Sequence, residues 1–113
     1  MALLAITFPI SAGKTEHWKK FIAEMKGPRK AEFDASRRKL GVRERTFLQH
    51  TPHGDMVIVT LEGDNPAKAF AEFGRGTDAF TTWFKHQVSE LHGMDLSQPP
   101  PGPIPEMVID SQS

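Results

Sequence analysis

Five histidines, with no cysteine and no tyrosine, bound the chemistry that this chain of 113 residues offers. Thiol nucleophiles, disulfides, iron–sulfur ligation and cysteine-type zinc sites are excluded. His50 and His53 flank a turn at a three-residue spacing, with Asp55 close behind. A zinc site needs three or four ligands, so a solvated turn is the expected reading and no metal is expected there. His17 and His86 would suit a general base. Placed on helices at about 100° per residue, both fall off the apolar stripes of their segments and should point to water. Ala12-Gly13-Lys14-Thr15 has the ending of a phosphate-binding loop, but that pattern requires glycine at position 8, where Phe8 stands. Gly74-Arg75-Gly76-Thr77 could offer free amides to an anion, although a plain helix break accounts for it. Arg37-Arg38-Lys39, with Arg43 and Arg45 beyond, reads as a solvated helix end: cations suit a helix C-terminus, and no aromatic residues interleave them. Two other polar residues fall inside apolar stripes, Arg29 on the first helical segment and Gln87 on the last. A buried guanidinium or amide is costly unless paired, so each must meet a protein partner such as Glu44 or line a cavity where a ligand satisfies it.

The elements that position these residues follow from periodicity and breakers. Leu3 to Ile10 reads as a strand closed by Pro9 and Ser11-Ala12-Gly13. From Lys14 to Leu40, Trp18, Phe21, Ile22, Met25, Phe33 and Leu40 recur at helical spacing; Gly27-Pro28 kinks or breaks the helix and Gly41 stops it. Val42 to His50 and Met56 to Glu62 form a hairpin around Thr51-Pro52-His53-Gly54-Asp55. Asp64-Asn65-Pro66 starts a short helix to Phe73; after the glycines Thr77 recaps, and a second segment runs to His92 with Gly93 beyond its end. A proline-rich arm over 98–106 then leads to a short last strand, Met107-Val108-Ile109-Asp110. Residues 1–113 are expected to form one domain.

Lys+Arg and Asp+Glu are equal at 14 each, which argues against a nucleic-acid partner. No run approaches the roughly 18 apolar residues of a membrane span. Met1 to Ala12 lacks the basic start of a signal peptide, and with no cysteine a cytoplasmic setting is expected.

The order strand, helix, strand, strand, helix, strand predicts an α+β, ferredoxin-like βαββαβ fold, a four-stranded antiparallel sheet with two helices on one face. On strands one and three of that plan, Leu4, Ile6, Phe8, Val57, Val59 and Leu61 share one face. Leu3, Ala5, Thr7, Met56, Ile58 and Thr60 share the other, a set too apolar for water, which predicts a covering partner, most simply a second copy. For strand two, Val42, Glu44, Thr46 and Leu48 oppose Arg43, Arg45, Phe47 and Gln49, and either set could face inward. With the stretches Trp83 to Leu96 and Pro103 to Asp110, the chain resembles uncharacterised bacterial members of the dimeric α/β-barrel superfamily. That resemblance implies a homodimer with its sheets paired face to face, and a ligand cavity between helices and sheet. The superfamily includes cofactor-independent monooxygenases, haem-degrading enzymes, isomerases and stress-related proteins, so membership leaves the chemistry open. No catalytic motif of a characterised branch lies on this chain.

On that basis Arg29, Gln87, Trp18 and Trp83 are placed around the cavity: Arg29 to hold an anionic or carbonyl group, Gln87 to orient it, the indoles to pack an apolar body. His50, if buried beside the cavity, would shift the reading toward catalysis or haem ligation. Two functions follow. One is a homodimer binding a small apolar or weakly anionic molecule without a cofactor; the alternative is a cofactor-independent monooxygenase or isomerase of small aromatic or polyketide-like compounds.

Overall fold

The alternation of apolar residues from Ala2 onward makes an edge strand, β1 (Ala2–Pro9), in a computed structural model that describes residues 1–100 and 102–112. Two helices follow, α1 (Thr15–Lys26) and α2 (Lys30–Leu40), because Gly27-Pro28 interrupts the run of helix formers. Gly41 ends α2 in the left-handed region at φ 71°, where a side chain would be strained, and its amide reaches back to the Arg37 and Arg38 carbonyls. The hairpin of β2 (Val42–Thr51) and β3 (Gly54–Gly63) comes next, then α3 (Pro66–Arg75) and α4 (Ala79–His92).

The sheet has three antiparallel strands in the order β1-β3-β2. Its register settles the faces of β2. Glu44 lies beside Leu61 and Leu4, Thr46 beside Val59 and Ile6, and Leu48 beside Val57 and Phe8, so Val42, Glu44, Thr46 and Leu48 turn toward the helices. Arg43, Arg45, Phe47 and Gln49 share the opposite face with Leu3, Thr7, Met56 and Ile58, and there Phe47 and Leu3 are 52% and 45% exposed. Among the described residues no helix covers that face. The core joins Ile6, Phe8 and Val57 of the sheet to Trp18, Phe21, Met25, Phe73, Phe84, Val88 and Leu91 of the helices. Phe84 is the hub of its aromatic part, with ring centroids 5.2 Å from Phe21 and 5.1 Å from Phe73 in edge-on contacts.

This architecture corrects the expected four-stranded ferredoxin-like sheet, and with it the paired barrel built on such sheets: among the described residues no fourth strand lies beside β1. Met107–Asp110 carries no strand structure and is exposed along its length. The arm before it holds five prolines between positions 99 and 105, each without an amide donor, so the arm cannot itself supply the donors of a ladder. The cap of α4 is also one residue later than expected. Asp78, not Thr77, accepts from the Thr81 amide (3.1 Å) and the Thr81 hydroxyl (2.7 Å), and these bonds hold its carboxyl below the usual carboxylate range.

Two long-range ties close the fold. The last turn of α4 grips the exit of β1, with the Ser11 amide on the Leu91 carbonyl (2.8 Å) and His92 Nδ1 on the Pro9 carbonyl (2.9 Å). Across the molecule, Asp55 at the hairpin accepts from the Thr15 hydroxyl at the start of α1 and from His50 Nδ1 at 2.7 Å, and its carbonyl accepts from the Ile10 amide at 2.9 Å.

Candidate functional site

Between the helices and the sheet the packing leaves a cavity of about 70 Å³. Ile6, Trp18, Met25, Phe70, Val57 and Phe84 are typical of its wall, and four polar side chains join them: Arg37, Glu44, Thr46 and His92. An apolar cavity of about 150 Å³ takes up benzene and a water occupies about 30 Å³, so this space suits about three heavy atoms of a bound molecule.

Arg37 is the unusual member. Phe33, Arg37 and Leu40 fall at i, i+4 and i+7 on α2, so the arginine stands in the helix's apolar stripe and is only 8% exposed. Its Nε donates to Glu44 Oε1 at 2.7 Å and its Nη1 to the Ser36 hydroxyl at 3.0 Å. Glu44 arrives from β2 because strand alternation turns it inward, and its other oxygen accepts from the Thr46 hydroxyl at 3.0 Å. The guanidinium carbon lies 4.8, 4.5 and 5.0 Å from the ring centroids of Phe33, Phe73 and Phe84, so three aromatic rings hold it in place. Nη2 makes no hydrogen bond among the described residues; no buried side-chain polar atom there lacks a partner, so Nη2 keeps some accessible surface while the side chain as a whole is nine-tenths buried and borders the cavity. The expectation of a solvated basic helix end therefore fails at Arg37, where stripe position outweighs the charge run around it.

His92 lies elsewhere in the wall. It follows Phe84 on α4 by eight residues, about 12 Å of helix. Since the Pro9 carbonyl only accepts, Nδ1 carries the proton and Nε2 of the neutral ring is left with its lone pair. Burial lowers the imidazole pKa below its usual value of 6.5, more than the bond to Pro9 raises it.

Of the residues expected around the cavity, Trp18 alone lies in its wall. Arg29 stands where the chain leaves α1 and enters α2. There it pairs with Glu24 (3.1 Å) and Glu32 (3.2 Å) and stacks on Trp83 with its guanidinium carbon 4.1 Å from the ring centroid. Trp83 and Gln87 are half-buried beside the core rather than on the cavity. The helix wheel places them on the inward side, where Trp83 packs on Phe21 of α1 with ring centroids 5.4 Å apart. His50 is exposed and occupied with Asp55, whose carboxyl is held below the usual range by the Thr15 hydroxyl and then by His50. The Thr15–Asp55 bond clasps the hairpin to α1, and among the described residues no three of His, Asp and Glu are grouped to hold a metal ion. His17 and His86 point to water. At the α3–α4 junction an ammonium, not an anion, fills the turn: Lys85 Nζ bonds to the Gly74 carbonyl (3.0 Å), the Gly76 carbonyl (2.9 Å) and the Ser97 hydroxyl (3.2 Å).

Sequence reasoning missed Arg37 and His92. The first was findable from its spacing to Phe33 and Leu40; the second, at the last position of a helix, carries no local mark of burial. No family profile, curated protein or solved structure matches the chain, so the site is read from its own geometry. Among the described residues no helix is long and apolar enough to cross a membrane.

Proposed function

We propose that this protein binds a small, largely apolar molecule carrying one oxygen function, neutral or weakly anionic, in the cavity between helices and sheet, and that it acts as a homodimer in the cytoplasm. The observation that carries the reading is Arg37: a guanidinium buried in the wall of an apolar cavity, fixed by Glu44 and three rings, with Nη2 free of protein partners among the described residues. A few placed polar groups in an apolar pocket are the usual means of orienting a ligand. The homodimer is supported by the open sheet face, where Phe47 and Leu3 lie exposed without a helix above them. The absence of cysteine accords with a reducing compartment.

Binding without transformation is favoured over the oxygenase or isomerase alternative. An enzyme of that kind needs an acid or base against the bound molecule. His92 is the one buried histidine of the five, and it stands about two turns along α4 from the ring that packs on Arg37, with its Nδ1 committed to the Pro9 carbonyl. The test is a titration with 2-butanone followed by NMR of the methyl groups. Saturable shifts confined to Ile6, Val57, Val59 and Val88, weakened severalfold in R37M, are expected. Shifts scattered over the surface, or none, would overturn the reading.

A further inference from the structure

We infer that Glu44 makes the cavity selective for neutral carbonyl compounds and excludes carboxylates of the same size. The inference rests on the cavity being a ligand site and names the class of ligand that it takes. Arg37 alone would draw anions. Its charge, however, is already matched by Glu44 at 2.7 Å, with the two side chains 10% and 8% exposed, and Thr46 steadies the second carboxylate oxygen. What the pair offers a newcomer is therefore a hydrogen-bond donor, Nη2, in a site of no net charge.

A ketone, aldehyde or amide oxygen needs only that donor. A carboxylate would have to shed its hydration and then sit beside the carboxylate of Glu44 with little water to screen the two. Like charges crowded into one buried site are resisted strongly enough to displace carboxyl pKa values by whole units, so the penalty outweighs any gain from a second contact with Arg37. The rings of Phe33, Phe73 and Phe84 prevent the guanidinium from swinging away from Glu44 to meet an incoming anion. Glu44 is in this account a selectivity residue acting through charge.

The probes are 2-butanone and propionate, each of five heavy atoms, titrated at neutral pH into the full-length protein and into E44Q, with methyl and amide shifts of the cavity residues as readout. Glutamine keeps an acceptor for Arg37 Nε and removes the negative charge. The wild-type protein should bind 2-butanone at least about tenfold more tightly than propionate, and E44Q should reverse the order. Equal or tighter binding of propionate by the wild-type protein overturns the inference, as does a folded E44Q that keeps the wild-type ratio. Should E44Q not fold, the wild-type ratio decides alone. If 2-butanone itself leaves the cavity resonances unmoved, the ligand site falls, and the selectivity falls with it.

Discussion

Arg37 and Glu44 hold each other in a place that neither would enter alone. Removing one partner of such a buried pair strands the other charge, typically at a cost of about 3–5 kcal/mol, whereas replacing both with apolar residues is often close to neutral. R37M should therefore lower the urea midpoint sharply, and the double variant R37M/E44M should recover much of the loss; equal destabilisation in the two would contradict the pairing. His92 supplies a second test, through pH. Its folded pKa lies below the ordinary 6.5, so the unfolded chain binds the proton more readily. The stabilisation from keeping this ring neutral is present above about pH 6.5 and is lost as pH falls through the lower folded value. Unfolding midpoints should decline between pH 7 and pH 5, and H92Q, whose amide can still donate to the Pro9 carbonyl, should flatten much of that decline. At this scale the sequence was half legible. The solvent-facing positions of His17 and His86 followed from the helix wheel, but Arg37 was hidden by its basic neighbours, and Arg29 by uncertainty over how far Pro28 turns the chain.

Where elements meet, glycine marks the closest approach. A methyl group on Gly74 of α3 would collide with the Leu96 carbonyl oxygen, so the segment after α4 packs directly on the α3 backbone. G74A should cost about 1–3 kcal/mol, as overpacking does, while G102A, with nothing within 4 Å of the added carbon, should leave thermal stability unchanged. Equal melting temperatures for the two variants would refute the packing. Helix breaks at Gly27-Pro28, Gly41 and Gly93 and the hairpin at Pro52 to Gly54 were readable, because each rests on local backbone chemistry. The last strand was not. Met107-Val108-Ile109 has the composition of a strand, but pairing depends on whether the prolines allow the segment to reach an edge, which no local pattern records.

For the molecule as a whole, the sheet face bearing Phe47 is the proposed meeting surface of two copies. F47E should shift sedimentation to the monomer while leaving the circular dichroism spectrum unchanged; a wild-type protein that sediments at 12.6 kDa even when concentrated would remove the dimer. The sequence pointed to this face through the alternation of β1 and β3, yet the orientation of β2 emerged only from the register that seats Glu44 beside Leu61. Trp18 adds a practical property. It is one of two indoles in a chain without tyrosine, and it forms part of the cavity wall, whereas Trp83 lies beneath the Arg29 guanidinium. In a W83F background, fluorescence would come from Trp18 alone, giving the protein a built-in optical gauge of whether its interior is empty or filled.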